Sequence, residues 1–321
     1  MTRPQVLLTD RAWPDAQIER AILDRAGYDL VEAPDGREET LVDLARDCEG
    51  ILTNWARVTP AVIAAAGRLK AIGRTGIGLD NIAIPAATAR GIPVTNVPDY
   101  CVEEVADHAL ALLLSLWRKI ALFDALAKRG EYNLSAGPKM HRLRGRRLGL
   151  IGLGRTGQAV AARAIAFGLD VVAWTPSGQS RGLSVTMLPL EDLLATSEAV
   201  SLHAPLVAET RHLLNAVRLD GCRCGVTIIN TSRGGLIDRA ALWERIQSGQ
   251  VAAAGLDVFE EEPPNLAESL YRDERVLVTP HAAFVSEESL DELRRRATGQ
   301  MVAALSGQRP DNVVNPEVFM T

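Results

Sequence analysis

"LGLIGLGRTGQAVAARAIAFG", residues 148–168, holds the spacing G-x-G-x-x-G on Gly152, Gly154 and Gly157. Three glycines so spaced are a weak sign alone. Here an apolar run precedes them and an alanine-rich helical stretch follows, the strand–turn–helix context that the motif requires. Gly152 permits a tight turn, Gly154 lets a ligand approach the main chain, and Gly157 lets helix and strand pack closely. Free N–H groups at the helix start, with the helix dipole behind them, suit a diphosphate. The frame this predicts is a dinucleotide-binding parallel sheet.

The flanking sequence keeps that rhythm. "RRLGLIG", "DVVAWT", "AVSLHA", "GVTIINTS", "VAAAGLDV" and "RVLVTP" predict six strands separated by helical segments. Upstream, "VLLTD", "YDLVEA", "GILTN", "KAIGRTG" and "PVTNV" alternate with helices in the same way; Pro14 suits the start of the first helix and Gly27 its end. Strand–helix alternation implies parallel sheets covered by helices. Between the blocks, residues 101–130 read as one long helix or two joined, apolar over much of the circumference. Such a helix is buried against the sheet, a partner subunit, or both. The tail, residues 286–307, is helical with Ser286 as N-cap. The expectation is an α/β protein of two Rossmann-like or flavodoxin-like parallel-sheet domains with a cleft between them. Residues 1–98 plus 282–321 form a discontinuous substrate domain, and residues 99–281 bind the dinucleotide.

Composition narrows the class. A chain of 321 residues, 47% hydrophobic and 23% charged, can bury two cores and stay soluble. Its net charge of −5 argues against a nucleic-acid face spread over the surface. The basic run "HRLRGRR", residues 141–147, reads better as a solvated linker before a strand. No signal peptide is visible, and the oiliest stretch, "ALALLLSLW", is well short of the ~18 residues that span a bilayer. These features place the protein in the cytoplasm, away from membranes. Cys48, Cys101, Cys222 and Cys224 are too few for a disulfide framework, and the C-x-C at 222–224 lacks a second ligand pair, so no metal is expected.

An NAD site expects an acid after the second strand of the motif, to hold the ribose 2′-hydroxyl. Thr175 stands there instead. A 2′-phosphate is then not repelled, and Thr175, Ser177, Ser180 and Arg181 can bind it, so acceptance of NADP(H) is expected. Three further residues follow consecutive predicted strands. Arg233, in "NTSRGGLID", offers a fork for a carboxylate. Glu262 is the last of three acids and precedes Pro263, which biases its backbone toward an extended form. His281 leaves "VLVTP" at once. Singly each is an ordinary surface residue; gathered at one sheet edge they suit reduction of a 2-oxo acid. His281 gives a proton to the carbonyl oxygen, Glu262 orients the ring and stabilises its cation, and Arg233 clamps the carboxylate. His203 also ends a strand and lines the cofactor site, whereas His108 reads as a packing residue and His141 and His212 as surface positions. "GRTGIGLDN", residues 73–81, is either a carboxylate-binding loop or a plain glycine turn.

With these segments in hand, the chain resembles the D-isomer-specific 2-hydroxyacid dehydrogenases over nearly its whole length. "GLGRTGQAVAARAIAFG", "NTSRGGLID", "LDVFEEEP" and "TPHAAF" are similar to that family's cofactor loop and its Arg, Glu and His segments. "GIGLDNIAIPAATARGIPVTNVPDYCVEEVADHALALLL" and "TPHAAFVSEES" are most similar to the branch of the C-terminal-binding-protein corepressors, which has tryptophan where this chain has Phe284. The resemblance implies catalytic roles for Arg233, Glu262 and His281, and substrate binding by Arg233 and the Gly76–Ile77 backbone. It implies NAD(P)H held by Gly152, Gly154, Arg155, Thr156, Gly157, Thr175, His203, Ala204, Pro205, Thr210, Thr231, Asp257 and His281, and a homodimer built largely from the cofactor domain. The expected activity interconverts a small 2-oxo acid, such as glyoxylate or hydroxypyruvate, and its D-2-hydroxy acid. The competing expectation is a cofactor-sensing, corepressor-like binding protein; the intact Arg–Glu–His set favours the enzyme.

Overall fold

The computed structural model describes residues 3–320 apart from Ala136, Pro138, Arg181, Leu183 and Ser184. It divides into two compact units, Met1–Tyr100 with Ser286–Thr321, and Cys101–Val285.

The first unit holds strands β1 (Gln5–Leu8), β2 (Asp29–Glu32), β3 (Cys48–Thr53), β4 (Ala71–Arg74) and β5 (Val94–Thr95). They form one sheet in the order β2-β1-β3-β4-β5, with every pair parallel. β3 is buried along all six residues, as a central strand covered on both faces must be. On one face Leu7, Ile51 and Ile72 pack with Leu41, Val62, Ile63 and Ala87 from the intervening helices. The other face receives the C-terminal helix, Glu287–Leu305, whose Met301 lies against Gly50 and Gly73. Ser286 caps that helix: its Oγ accepts from Ser289 N at 2.9 Å, and Ser289 Oγ accepts from Ser286 N at 2.9 Å. Such a cap contributes about 1 kcal/mol. Arg294 on this helix makes a two-pronged contact with the enclosed Glu19 carboxylate, Nε to Oε1 at 2.8 Å and Nη2 to Oε2 at 2.9 Å. A buried pair of this kind is costly to break from one side, about 3–5 kcal/mol. It fastens the tail helix to Gln17–Arg25 across 275 residues of chain.

The second unit continues with β6 (Arg147–Ile151), β7 (Asp170–Trp174), β8 (Thr186–Met187), β9 (Ala199–Leu202), β10 (Val226–Asn230), β11 (Val251–Leu256) and β12 (Val276–Val278). Their order is β12-β11-β10-β9-β6-β7-β8, again parallel throughout. Seven strands stand where the sequence predicts six. β8 is a two-residue edge strand, too short to leave an apolar run. The chain winds outward in both directions from β6, so the sheet has a switch point between β6 and β9. In open α/β sheets that crevice is where ligands bind. The apolar stretch after residue 101 is two helices, Val102–Arg118 and Ile120–Lys128. They break at Lys119, which takes the left-handed conformation with φ of 57°. Leu110, Leu113 and Trp117 of the first helix pack on the sheet with Val160 and Ala164 of helix Arg155–Ala166. No helix among the described residues is long and apolar enough to cross a membrane.

Candidate active site

β6 ends at Ile151 and the chain turns through Gly152, whose φ is 101°. A side chain there would collide with the His203 carbonyl, so only glycine permits both the turn and the approach. His203 leaves the neighbouring β9, and its N–H donates to Ile151 O at 2.7 Å, closing the switch point. Gly154 caps helix Arg155–Ala166 with no side chain on the cap, so the first-turn N–H groups of Arg155, Thr156 and Gly157 point outward. Nothing lies within 4 Å of the place where a Gly154 Cβ would stand. Among the enclosed polar atoms on this unit with no hydrogen-bond partner in the described residues are His203 Nδ1 and Thr231 Oγ1, which follow β9 and β10. An open glycine cradle with two orphaned polar atoms fits a dinucleotide: phosphates on the helix start, and hydrogen bonds to the imidazole and hydroxyl.

Thr175 follows β7 directly, with its hydroxyl 3.4 Å from Ser177 Oγ. Arg181 lies outside the described residues. Ala204 is buried and Pro205 exposed in the segment after β9. The Thr210 hydroxyl donates to Pro205 O at 2.7 Å and accepts from Val207 N at 2.8 Å, which shapes that segment. The Asp257 side chain is fully enclosed. It accepts from Thr279 Oγ1 at 2.6 Å, Ala282 N at 2.8 Å and Ala283 N at 3.0 Å.

The carboxyl ends of β10, β11 and β12, adjacent in the sheet, deliver the other three residues. After β10 the Asn230 side chain brackets the turn, donating to Arg233 O at 2.9 Å and accepting from Ser232 N at 3.0 Å. Arg233 is thereby held extended, and its Nη1 donates to Ser232 O at 2.8 Å. Gly234 packs on the Phe259–Glu260 peptide so closely that no Cβ could be added. The arginine turn and the glutamate loop are therefore packed directly against each other. In that loop Glu260 pairs with Arg211 and His212, and Glu262 turns to His281. His281 Nδ1 meets Glu262 Oε2 at 2.7 Å, while Glu262 Oε1 accepts from Phe259 N at 2.9 Å. Burial pushes the Glu262 carboxyl up. The His281 hydrogen bond and charge, the Phe259 N–H and the Arg233 charge outweigh it, and the group ends below the usual glutamate value. A carboxylate so held is ionised near neutral pH.

His281 itself has φ of 52°. The left-handed region costs an L-residue about 1 kcal/mol or more. Its N–H donates to Asp257 O at 2.8 Å, and the Asp257 carboxylate ties down the residues after it. The Phe284 ring stands edge-on to the imidazole, with centroids 5.9 Å apart. The ring stays a quarter exposed, so a substrate can reach it. His203 is the opposite case. Burial pushes it down to about 4, and its Nε2 lies 2.8 Å from Ser201 Oγ.

In the first unit, the loop after β4 carries Gly76 and Ile77. Their carbonyls accept from Val97 N at 3.1 Å and Asn96 Nδ2 at 2.7 Å. No protein acceptor among the described residues takes their N–H groups. Arg74 shapes this loop, donating from Nε to Gly78 O at 2.9 Å and from Nη1 to Asn54 Oδ1 at 3.1 Å. His108, read as a packing residue, has a definite polar partner: its Nε2 lies 3.0 Å from Thr279 Oγ1. No local pattern marks that contact, because 171 residues separate the two.

Residues 110–283 match the family described as D-isomer specific 2-hydroxyacid dehydrogenase, NAD binding domain. A glyoxylate reductase of Korarchaeum cryptofilum is 35% identical over 294 residues, covering 89% of this chain and 88% of that protein. A D-3-phosphoglycerate dehydrogenase of Mycobacterium bovis is 37% identical over 321 residues, 98% of this chain, which spans only 59% of that longer protein. Among solved structures, the NADPH-dependent glyoxylate/hydroxypyruvate reductase of Sinorhizobium meliloti, in complex with NADP and malonate, superposes with a TM-score of 0.86. It has 30% identity and covers 98% of this chain and 97% of that one.

Proposed function

This chain belongs to the D-isomer-specific 2-hydroxyacid dehydrogenases and is an NAD(P)-dependent oxidoreductase, and we propose that it reduces a small 2-oxo acid of the glyoxylate or hydroxypyruvate kind to the D-2-hydroxy acid. The observation that carries the reading is the 2.7 Å contact between His281 and Glu262 at a sheet edge shared with Arg233. His281, protonated at Nε2, gives that proton to the substrate carbonyl oxygen as negative charge builds there. Glu262 keeps Nδ1–H engaged, which aims Nε2 outward and balances the imidazolium. Arg233 takes the substrate carboxylate in a paired contact and draws electron density from the adjacent carbonyl. Within the first unit, the Gly76 and Ile77 N–H groups are assigned to carboxylate binding. Gly152, Gly154, Arg155, Thr156 and Gly157 hold the cofactor diphosphate, and His203 and Thr231 line its site. The bound nicotinamide supplies the hydride.

Thr175 in place of an acid favours acceptance of the 2′-phosphate, so NADPH is the assigned donor. We assign the protein to the reducing cytoplasm, in keeping with four free cysteines. A homodimer is proposed through the second unit, where Ile120, Tyr132, Leu134 and Met140 leave apolar surface exposed. One experiment tests the activity. Initial rates are taken with glyoxylate, hydroxypyruvate, pyruvate and, in reverse, D-3-phosphoglycerate, each with both cofactors. Turnover of glyoxylate or hydroxypyruvate with NADPH supports the reading. Turnover of D-3-phosphoglycerate alone, or none at all, sinks it, and a preference for NADH above about tenfold removes the Thr175 assignment.

A further inference from the structure

We infer that His108 is a positioning residue for the catalytic imidazole, acting through Thr279 and Asp257. The inference rests on the functional reading above for its rate effects, but its geometry stands alone.

Thr279 Oγ1 lies 2.6 Å from Asp257 Oδ1 and 3.0 Å from His108 Nε2. A hydroxyl has one proton. The carboxylate can only accept, so the threonine proton goes to Asp257. At its other contact Thr279 must then accept, and His108 Nε2 must be the donor. The tautomer of His108 is fixed by the chemistry of its neighbours, with Nε2 bearing hydrogen. The same Nε2 lies 3.6 Å from Asp257 Oδ1, so any positive character on the ring faces an enclosed carboxylate. Asp257 in turn accepts from Ala282 N and Ala283 N, and its carbonyl accepts from His281 N. The run His108 to Thr279 to Asp257 therefore ends on three consecutive amides, 281 to 283. Those amides keep His281 in its left-handed conformation and its ring against Glu262. His108 stands on helix Val102–Arg118, which packs across the sheet as a rigid support. It ties the turn to a different layer of the unit.

The test compares His108→Leu, which removes the donor, with His108→Gln, whose amide restores one. In the leucine variant kcat falls about tenfold while KM for the oxo acid stays within about twofold, since the substrate clamp is untouched. Amide exchange at residues 281–283 rises by a similar factor, with exchange in helix Val102–Arg118 unchanged. The glutamine variant recovers both. Thr279→Val reproduces the leucine phenotype, and the double variant falls no lower than the worse single. Nitrogen-15 shifts of the wild-type imidazole report Nε2–H, a reading that needs no variant to fold. An Nδ1–H tautomer overturns the inference, as does unchanged exchange at 281–283 in the leucine variant. Exchange raised along the whole helix, with kcat and KM moving together, overturns it too, because that is loss of packing. If the wild type turns over no 2-oxo acid, the functional reading fails, and tautomer and exchange alone decide this one.

Discussion

The exits of β12 and β9 each present a histidine at the carboxyl edge of the same sheet, and the two are built for opposite purposes. His281 keeps a quarter of its side chain exposed and has a carboxylate at 2.7 Å. His203 is part-buried with its Nδ1 enclosed, has a serine hydroxyl for a partner, and burial pushes it down to about 4. An anionic neighbour stabilises the imidazolium; burial against a hydroxyl excludes it. Position at a strand exit brings a histidine to the ligand, and the surroundings then decide whether it can give up a proton or only offer a neutral hydrogen bond.

The largest effect that should separate them is on kcat. His281→Gln is expected to lower it about a thousandfold, the usual worth of a positioned proton donor. His203→Gln should cost within about tenfold and act mainly on KM for the cofactor. Steady-state rates decide, and equal losses would break the contrast. Glu262→Gln comes next. The amide still accepts from Phe259 but cannot balance a cation, so kcat should fall about a hundredfold with cofactor dissociation unchanged by fluorescence titration. A loss under about threefold would mean that the carboxylate only shapes its loop.

The third effect is on stability, and its sign follows from His203. The folded value is about 4 against 6.5 for a free histidine, so between those values the unfolded chain holds the extra proton. Stability from this group is complete above about pH 6.5 and drains away as pH falls toward 4, with about 2 kcal/mol gone at pH 5. Urea midpoints at about pH 7.5 and 5 measure it. His203→Phe should flatten the acid side, whereas His281→Phe should leave its slope alone.

Much of this was legible in the chain. The glycine loop, the alternation of strands and helices, and the exits bearing Arg233, Glu262 and His281 all follow from local pattern. Periodicity and turn chemistry are properties of neighbouring residues. Elements whose signal is short or non-local were not legible. β8 has two residues, and the break at Lys119 interrupts a stretch with no glycine or proline to mark it. That the Asp257 carboxylate reaches the amides of Ala282 and Ala283 has no local mark either.

By itself the sequence determined which residue types leave which strands, and hence the kind of chemistry this sheet edge can carry. Only the tertiary structure decided that Glu262 faces His281, that the His203 ring is set against a serine hydroxyl, and that His108 reaches Thr279 across 171 residues. The reason is physical. Local pattern governs backbone conformation, whereas a proton's affinity for a side chain depends on the charges and burial around it, and those arrive from distant parts of the chain only when it folds.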